Sequence, residues 1–172
     1  MIFISGVHGV GKSYFCDLVK KELGVETFTA SQLIEKKKNA VFGSDKRIKN
    51  IDDNQRLLVE ALEELKTTDS YFILDGHFCL LDVEGKIKRI PRETFEELNP
   101  NSIVLLTEKP EVISERREKR DGLKVEVSEI REFQDAEIVY AHEIANQLGV
   151  ELMISRGKED LDTVIDFIRR CK

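Results

Sequence analysis

Residues 6–13 read Gly-Val-His-Gly-Val-Gly-Lys-Ser, a G-x-x-x-x-G-K-S spacing whose chemistry is the capture of a polyphosphate. The glycines let consecutive backbone N–H groups turn inward on an anion. Lys12 reaches the β- and γ-phosphates, and the Ser13 hydroxyl takes a place on Mg²⁺. His8 occupies a loop position where no side chain is required and reads as a spacer. The expected nucleotide-binding segment is Gly6, Val7, His8, Gly9, Val10, Gly11, Lys12, Ser13 and Tyr14, with ATP and Mg²⁺ as its ligands.

Two further groups could join this site. Asp75 closes the apolar run Tyr71-Phe72-Ile73-Leu74. A carboxylate there can hold the metal opposite Ser13, and its plainer role is to cap the next turn. His77, two residues on, is placed to meet an acceptor or simply to hydrogen-bond at the mouth of the same cleft. Arg116, Arg117 and Arg120 run into Asp121-Gly122, a helix end followed by a break. Arg116 and Arg120 are four apart and share a face, while Arg117 is expected to point elsewhere. Planar guanidinium groups beside a hinge suit a lid over residues 114–127 that closes on a transferring phosphoryl group. Glu115, Glu118 and Asp121 offer the same arginines ordinary surface ion pairs.

The elements that must position these residues alternate. Apolar runs at residues 2–4, 25–28, 71–75, 102–107 and 150–154 read as five buried strands. Between them lie amphipathic helices. Leu57, Leu58, Ala61, Leu62 and Leu65 mark the inner face of one, and Ile130, Phe133, Glu137 with Ile138, Ala141, Ile144 and Leu148 that of another. Gly24, Gly122 and Gly149 stop helices, and Pro91 and Pro110 open them. Residues 39–50 and 82–89, polar and without an apolar period, are expected to be loops. Continuous apolar strands alternating with helices predict a three-layer α/β/α fold around a five-stranded parallel sheet, with ligands at the carboxyl ends of the strands.

The chain has 172 residues, 41% hydrophobic and 35% charged, which fits one domain spanning 1–172. Its first strand starts at Ile2 and leaves no room for a signal peptide, and no apolar run has the length of a membrane span. Three cysteines without metal-like spacing fit a reducing cytoplasm, with Cys16 and Cys171 as small buried hydrophobes. A net charge of −6 argues against general nucleic-acid binding. The cations nonetheless gather in three clusters, around Lys36 to Lys49, Lys86 to Arg92 and Arg116 to Lys124, as solvated faces or a polyphosphate pocket would require.

Between Asp75 and Arg120 the chain resembles the archaeal-type adenylate kinases among the P-loop nucleoside and nucleotide kinases. The residues that carry the resemblance are Asp75-Gly76-His77, Gly85, the Pro91-led helix, Leu98-Asn99-Pro100-Asn101, Pro110 to Ile113 followed by Arg116-Arg117, and Gln134. Gly76 stands where that family has a threonine, which removes a hydroxyl from the metal side of the cleft. Residues 29–56, where such kinases grip the acceptor, depart from the family and offer Asp45-Lys46-Arg47 and Asn54-Gln55-Arg56.

The resemblance implies an ATP-dependent transfer to a nucleoside monophosphate, AMP first. Lys12, Asp75, Arg116 and Arg120 would be catalytic, Ser13 and Asp75 on the metal, and Arg47, Gln55 and His77 on the acceptor. A kinase of a nucleoside or another hydroxyl compound, and a P-loop ATPase or switch protein, are the alternatives. Expected partners are small nucleotides, with no membrane, and an oligomer is compatible with the chain.

Overall fold

Parallel strands that carry apolar residues on both faces must be covered on both sides, and this sheet is. The computed structural model describes residues 1–42, 51–68, 71–122 and 124–171. Its central strand β1 (Ile2–Ser5) is buried throughout and pairs in parallel with β3 (Phe72–Asp75) on one side and β6 (Ser102–Leu106) on the other. The edges are β2 (Glu26–Thr29) and β7 (Glu151–Ser155), giving the order β2-β3-β1-β6-β7. The β1-to-β2 crossover runs opposite to the later ones, so right-handed connections put α1 (Lys12–Leu23) on the face away from the other crossover helices, and the C-terminal α7 (Leu161–Arg170) packs against it there. The other face carries α3 (Ile51–Thr68), α4 (Arg92–Leu98) and α6 (Val127–Leu148). Two more helices, α2 (Ala30–Phe42) and α5 (Pro110–Asp121), border the carboxyl end of the sheet. The strand order reverses at β1, so a crevice opens where the phosphate loop leaves that strand. Among the described residues no helix is long and apolar enough to cross a membrane.

Three expectations need correction. Residues 82–89 are not all loop: β5 (Ile87–Arg89) pairs antiparallel with β4 (Cys79–Leu81). The turn between them is made by Asp82, whose side chain accepts from the backbone N–H groups of Glu84 (2.9 Å) and Lys86 (2.8 Å). The loop expected from residue 39 begins later, because α2 continues to Phe42; residues 43–50, with Arg47, lie outside the described residues. Cys171 is half-exposed rather than buried.

Beneath the turn that follows β3 sits an aromatic cluster. Phe3 meets Phe78 edge-on at 5.2 Å, Phe78 stacks on Phe95 at 5.0 Å, and Tyr140 closes the group while donating to the Ile90 carbonyl at 2.7 Å. This cluster explains Gly76. A Cβ there would lie 2.6 Å from the Phe3 ring, so the aromatic packing, not the metal side of the cleft, excludes a side chain. Gly76→Ala is expected to cost about 1–3 kcal/mol through overpacking, read as a lowered melting temperature. Phe3→Leu in the same chain should return part of that loss, since the two sites touch. A Gly76→Ala protein that melts with its parent would show that Phe3 is not the constraint.

Candidate active site

The phosphate loop follows from where its glycines sit. Gly6, Gly9 and Gly11 have φ of 147°, 89° and 105°, a region that L side chains rarely adopt. A Cβ on Gly6 would fall 2.7 Å from the Leu106 carbonyl oxygen, and one on Gly9 would fall 2.8 Å from Cγ of Arg117. Gly11 caps α1, whose first turn carries no acidic residue. The free N–H groups and positive end of the helix are thus left for an anion.

Around the loop a cavity of about 690 Å³ is lined by Val7, His8, Gly9, Gly11, Lys12, Ser13 and Tyr14 from the expected segment. Asp75, His77, Arg116 and Arg120 line it as well. Gly6 and Val10 lie behind it and act through their carbonyls. Lys12 Nζ donates to the Gly6 carbonyl at 2.6 Å and stands 3.8 Å from the Asp75 carboxylate. Both side chains are about nine-tenths buried. Burial lowers the Lys12 pKa against the pull of Asp75 and Glu137, and raises that of Asp75 against the pull of Lys12.

His77 places Nε2 3.4 Å from Lys12 Nζ. Burial, with Lys12 and then His8, pushes the His77 pKa down to about 2, so the ring is neutral. The His8 ring lies 4.6 Å from that of His77, centroid to centroid. His8 is therefore a wall of the cavity and not only a spacer.

Of the three arginines, Arg116 and Arg120 line this cavity and Arg117 lines another. Arg116 donates to the Val10 carbonyl at 3.0 Å and pairs with Glu108 at 3.1 Å, so it is already docked on the loop. Arg120 reaches the cavity but spends its guanidinium on Asp121, at 2.6 and 2.7 Å. Arg117 lies apart from both and does not line that cavity. Its stem covers Gly9, and it faces a separate cavity of about 580 Å³ with His8 and Phe133.

A smaller cavity of about 180 Å³ opens beside the first and shares Ala30, Ser31, Gly76, His77 and Leu80 with it. Its walls are Phe3, Ile34, Leu58, Ile90, Phe95 and Leu98, with the amides of Asn54 and Gln55 and the hydroxyl of Thr94 among them. Asn54 Oδ1 is buried without a partner. The structure thus brings Asn54, Gln55 and His77 to one place and adds Thr94, which sequence reasoning did not single out. It also adds Glu137, wholly buried on α6. The signal for that residue was a carboxylate on the apolar stripe of a helix.

Ser13 and Asp75 fit a magnesium ion that arrives with a nucleotide. Among the described residues no three acidic, histidine or cysteine groups form a metal cage, and Mg²⁺ characteristically takes one carboxylate or hydroxyl and completes its shell with phosphates and water.

Residues 5–134 match the family described as AAA domain, a span that takes in the loop, Asp75, His77 and α5. The adenylate kinase of Pyrobaculum aerophilum is 30% identical, over 92% of this chain and 86% of that protein. The chain belongs to the P-loop kinase family. The adenylate kinase of Thermoplasma acidophilum is 28% identical to this P-loop kinase, over 91% of the chain and 88% of the relative. Among solved structures, the shikimate kinase of Acinetobacter baumannii in complex with shikimate has a TM-score of 0.56 at 16% identity, covering 99% of this chain and 93% of that one. An unliganded sugar kinase from Janibacter sp. has a TM-score of 0.57 at 17% identity, covering 98% and 91%. At those identities the likeness is one of fold.

Proposed function

We propose that this P-loop kinase moves the γ-phosphoryl group of Mg-ATP to a nucleoside monophosphate, AMP foremost, in the cytoplasm, where its three cysteines stay free thiols. The observation that carries the reading is the small cavity beside the phosphate site. Its apolar walls suit a flat nucleobase, and its amides suit the base's polar edge. Asn54 Oδ1 can only accept, so it calls for an N–H donor such as an exocyclic amine. Arg47 retains its proposed role on the acceptor phosphate and lies outside those residues.

In the reaction the N–H groups of residues 6–13 hold the donor phosphates, and Lys12 exchanges the Gly6 carbonyl for phosphate oxygens. Ser13 and Asp75 would hold the magnesium ion, which neutralises charge on those oxygens when bound. An acceptor phosphate is already an anion and needs no base. Its oxygen bonds to the γ-phosphorus as the bond from that phosphorus to the β–γ bridging oxygen breaks, and ADP leaves. Neutral His77 bridges the two cavities and orients the acceptor. A lid over residues 114–127 then brings Arg120 onto the γ-phosphate and excludes water.

A screen of nucleoside monophosphates, nucleosides, sugars and shikimate with labelled ATP tests the reading, with AMP expected to be the best acceptor. Asn54→Leu should raise the AMP KM about tenfold or more through the lost hydrogen bond while leaving the ATP KM unchanged. Transfer to a sugar or nucleoside but to no monophosphate would replace this reading with that of a hydroxyl kinase. ATP loss indifferent to every acceptor would make the protein an ATPase.

A further inference from the structure

Glu137 lines none of these cavities, yet both of its carboxylate oxygens are hydrogen-bonded. Its Oε2 accepts from the Ser5 hydroxyl at 2.7 Å, and its Oε1 accepts from the backbone N–H groups of Phe78 at 2.9 Å and Cys79 at 2.8 Å. These partners belong to two segments that the sheet no longer joins. The ladder between β1 and β3 ends where the Gly76 N–H meets the Ile4 carbonyl at 3.0 Å. Beyond that point the chain from β1 becomes the phosphate loop, and the chain from β3 becomes the turn carrying His77. Ser5 directly precedes Gly6, whose carbonyl seats Lys12. Phe78 directly follows His77, whose Nδ1 faces the same carboxylate at 4.0 Å.

We propose that Glu137 is a positioning residue for phosphoryl transfer, a single buried carboxylate that locks the phosphate loop to the turn after Asp75 so that Lys12, Asp75 and His77 converge. The role rests on the kinase reading above and does not depend on which acceptor is used. One turn earlier on α6, Gln134 does the matching work on the next strand. Its side chain accepts from the Glu108 N–H at 3.1 Å and donates to the Glu108 carbonyl at 3.0 Å. Glu108 in turn pairs with Arg116, which is docked on the loop. A single helix face therefore sets both turns at the carboxyl ends of β3 and β6. Stability alone is a poor reason for the choice of residue, because burying a carboxylate is costly even when its hydrogen bonds are complete.

Three variants separate positioning from scaffolding. Glu137→Gln keeps an acceptor for both N–H groups and a donor for the Ser5 hydroxyl. Glu137→Met fills the volume and keeps neither, and Ser5→Ala removes one contact. Each is assayed as ADP formation from Mg-ATP, with AMP and separately without an acceptor, at a temperature where melting curves show the protein folded. Glu137→Met is expected to lower kcat about 10²-fold, the scale of an ångström of misplacement, with both KM values unchanged, and Glu137→Gln to recover most of the loss. Ser5→Ala should lower kcat roughly tenfold in the same pattern, and it decides the matter if Glu137→Met does not fold. The proposal is overturned by parental kcat in Ser5→Ala, by Glu137→Gln as slow as Glu137→Met, or by losses that appear in KM instead. A parent protein that turns ATP over but ignores AMP counts against the acceptor reading alone. Equal acceptor-free turnover in parent and variants counts against the role of Glu137.

Discussion

Lys12→Ala is expected to lose phosphoryl transfer by about 10³-fold or more, the scale of removing a fixed charge from developing phosphate charge, while the protein still folds. The ammonium now rests on the Gly6 carbonyl at 2.6 Å, 3.8 Å from Asp75, with its side chain only 8% exposed. Removing it leaves few apolar contacts unmade but strips Asp75 of its counter-charge. Burial already holds the Asp75 carboxyl above its usual range, and Lys12 opposes that rise. Without Lys12 the folded-state pKa moves further above the unfolded value, so the folded state binds a proton that the unfolded chain does not. The stabilisation from that proton is present at low pH and is lost as pH rises through the folded pKa. Relative to its parent, Lys12→Ala should therefore melt closest to normal in acid and least well above neutrality. A transfer assay beside melting curves at several pH values checks both halves. Full activity in the variant would end the kinase reading.

What the sequence disclosed follows from how local each constraint is. The phosphate loop was legible because its glycines answer to backbone geometry within a few residues. Strands β1, β3 and β6 were legible because burial on both faces leaves unbroken apolar runs. The helix ends at Gly24, Gly122 and Gly149 were legible for the same local reason, and all three are left-handed caps. The β4–β5 hairpin was not, because Lys88 and Arg89 face water and carry no apolar period. Gly76 looked like a loss on the metal side, and only the fold reveals that Phe3 requires it. Glu137 stood in plain view on the inner stripe of α6, but its three partners are at least 58 residues distant in sequence. No local pattern announces a contact of that range.

Arg120→Ala is expected to lower kcat roughly 10²–10⁴-fold, the range for arginines that act on a transferring phosphoryl group, with little change in the KM for ATP. The asymmetry comes from the two arginines of α5. Arg116 is held on the Val10 carbonyl and Glu108, so it is docked on the phosphate loop before any closure. Arg120 is 62% exposed and paired with its neighbour Asp121 at the last turn of the helix. To meet phosphate it must leave that carboxylate, which the exposed and solvent-screened pair permits at little cost. The chain can follow because Gly122, with φ of 67°, caps α5 and gives the backbone the freedom of a hinge. The Ser114 hydroxyl holds the Val125 carbonyl at 2.7 Å, which ties the two ends of the proposed lid together and leaves the outer end of α5 to move. Arg120→Lys should rescue little, since an ammonium group cannot reproduce a planar fork on two phosphate oxygens. Hydrogen exchange with and without a bisubstrate analogue should show new protection at residues 118–122. If those amides exchange alike in both states and Arg120→Ala keeps its kcat, the pair with Asp121 is the whole role of Arg120 and no lid closes there.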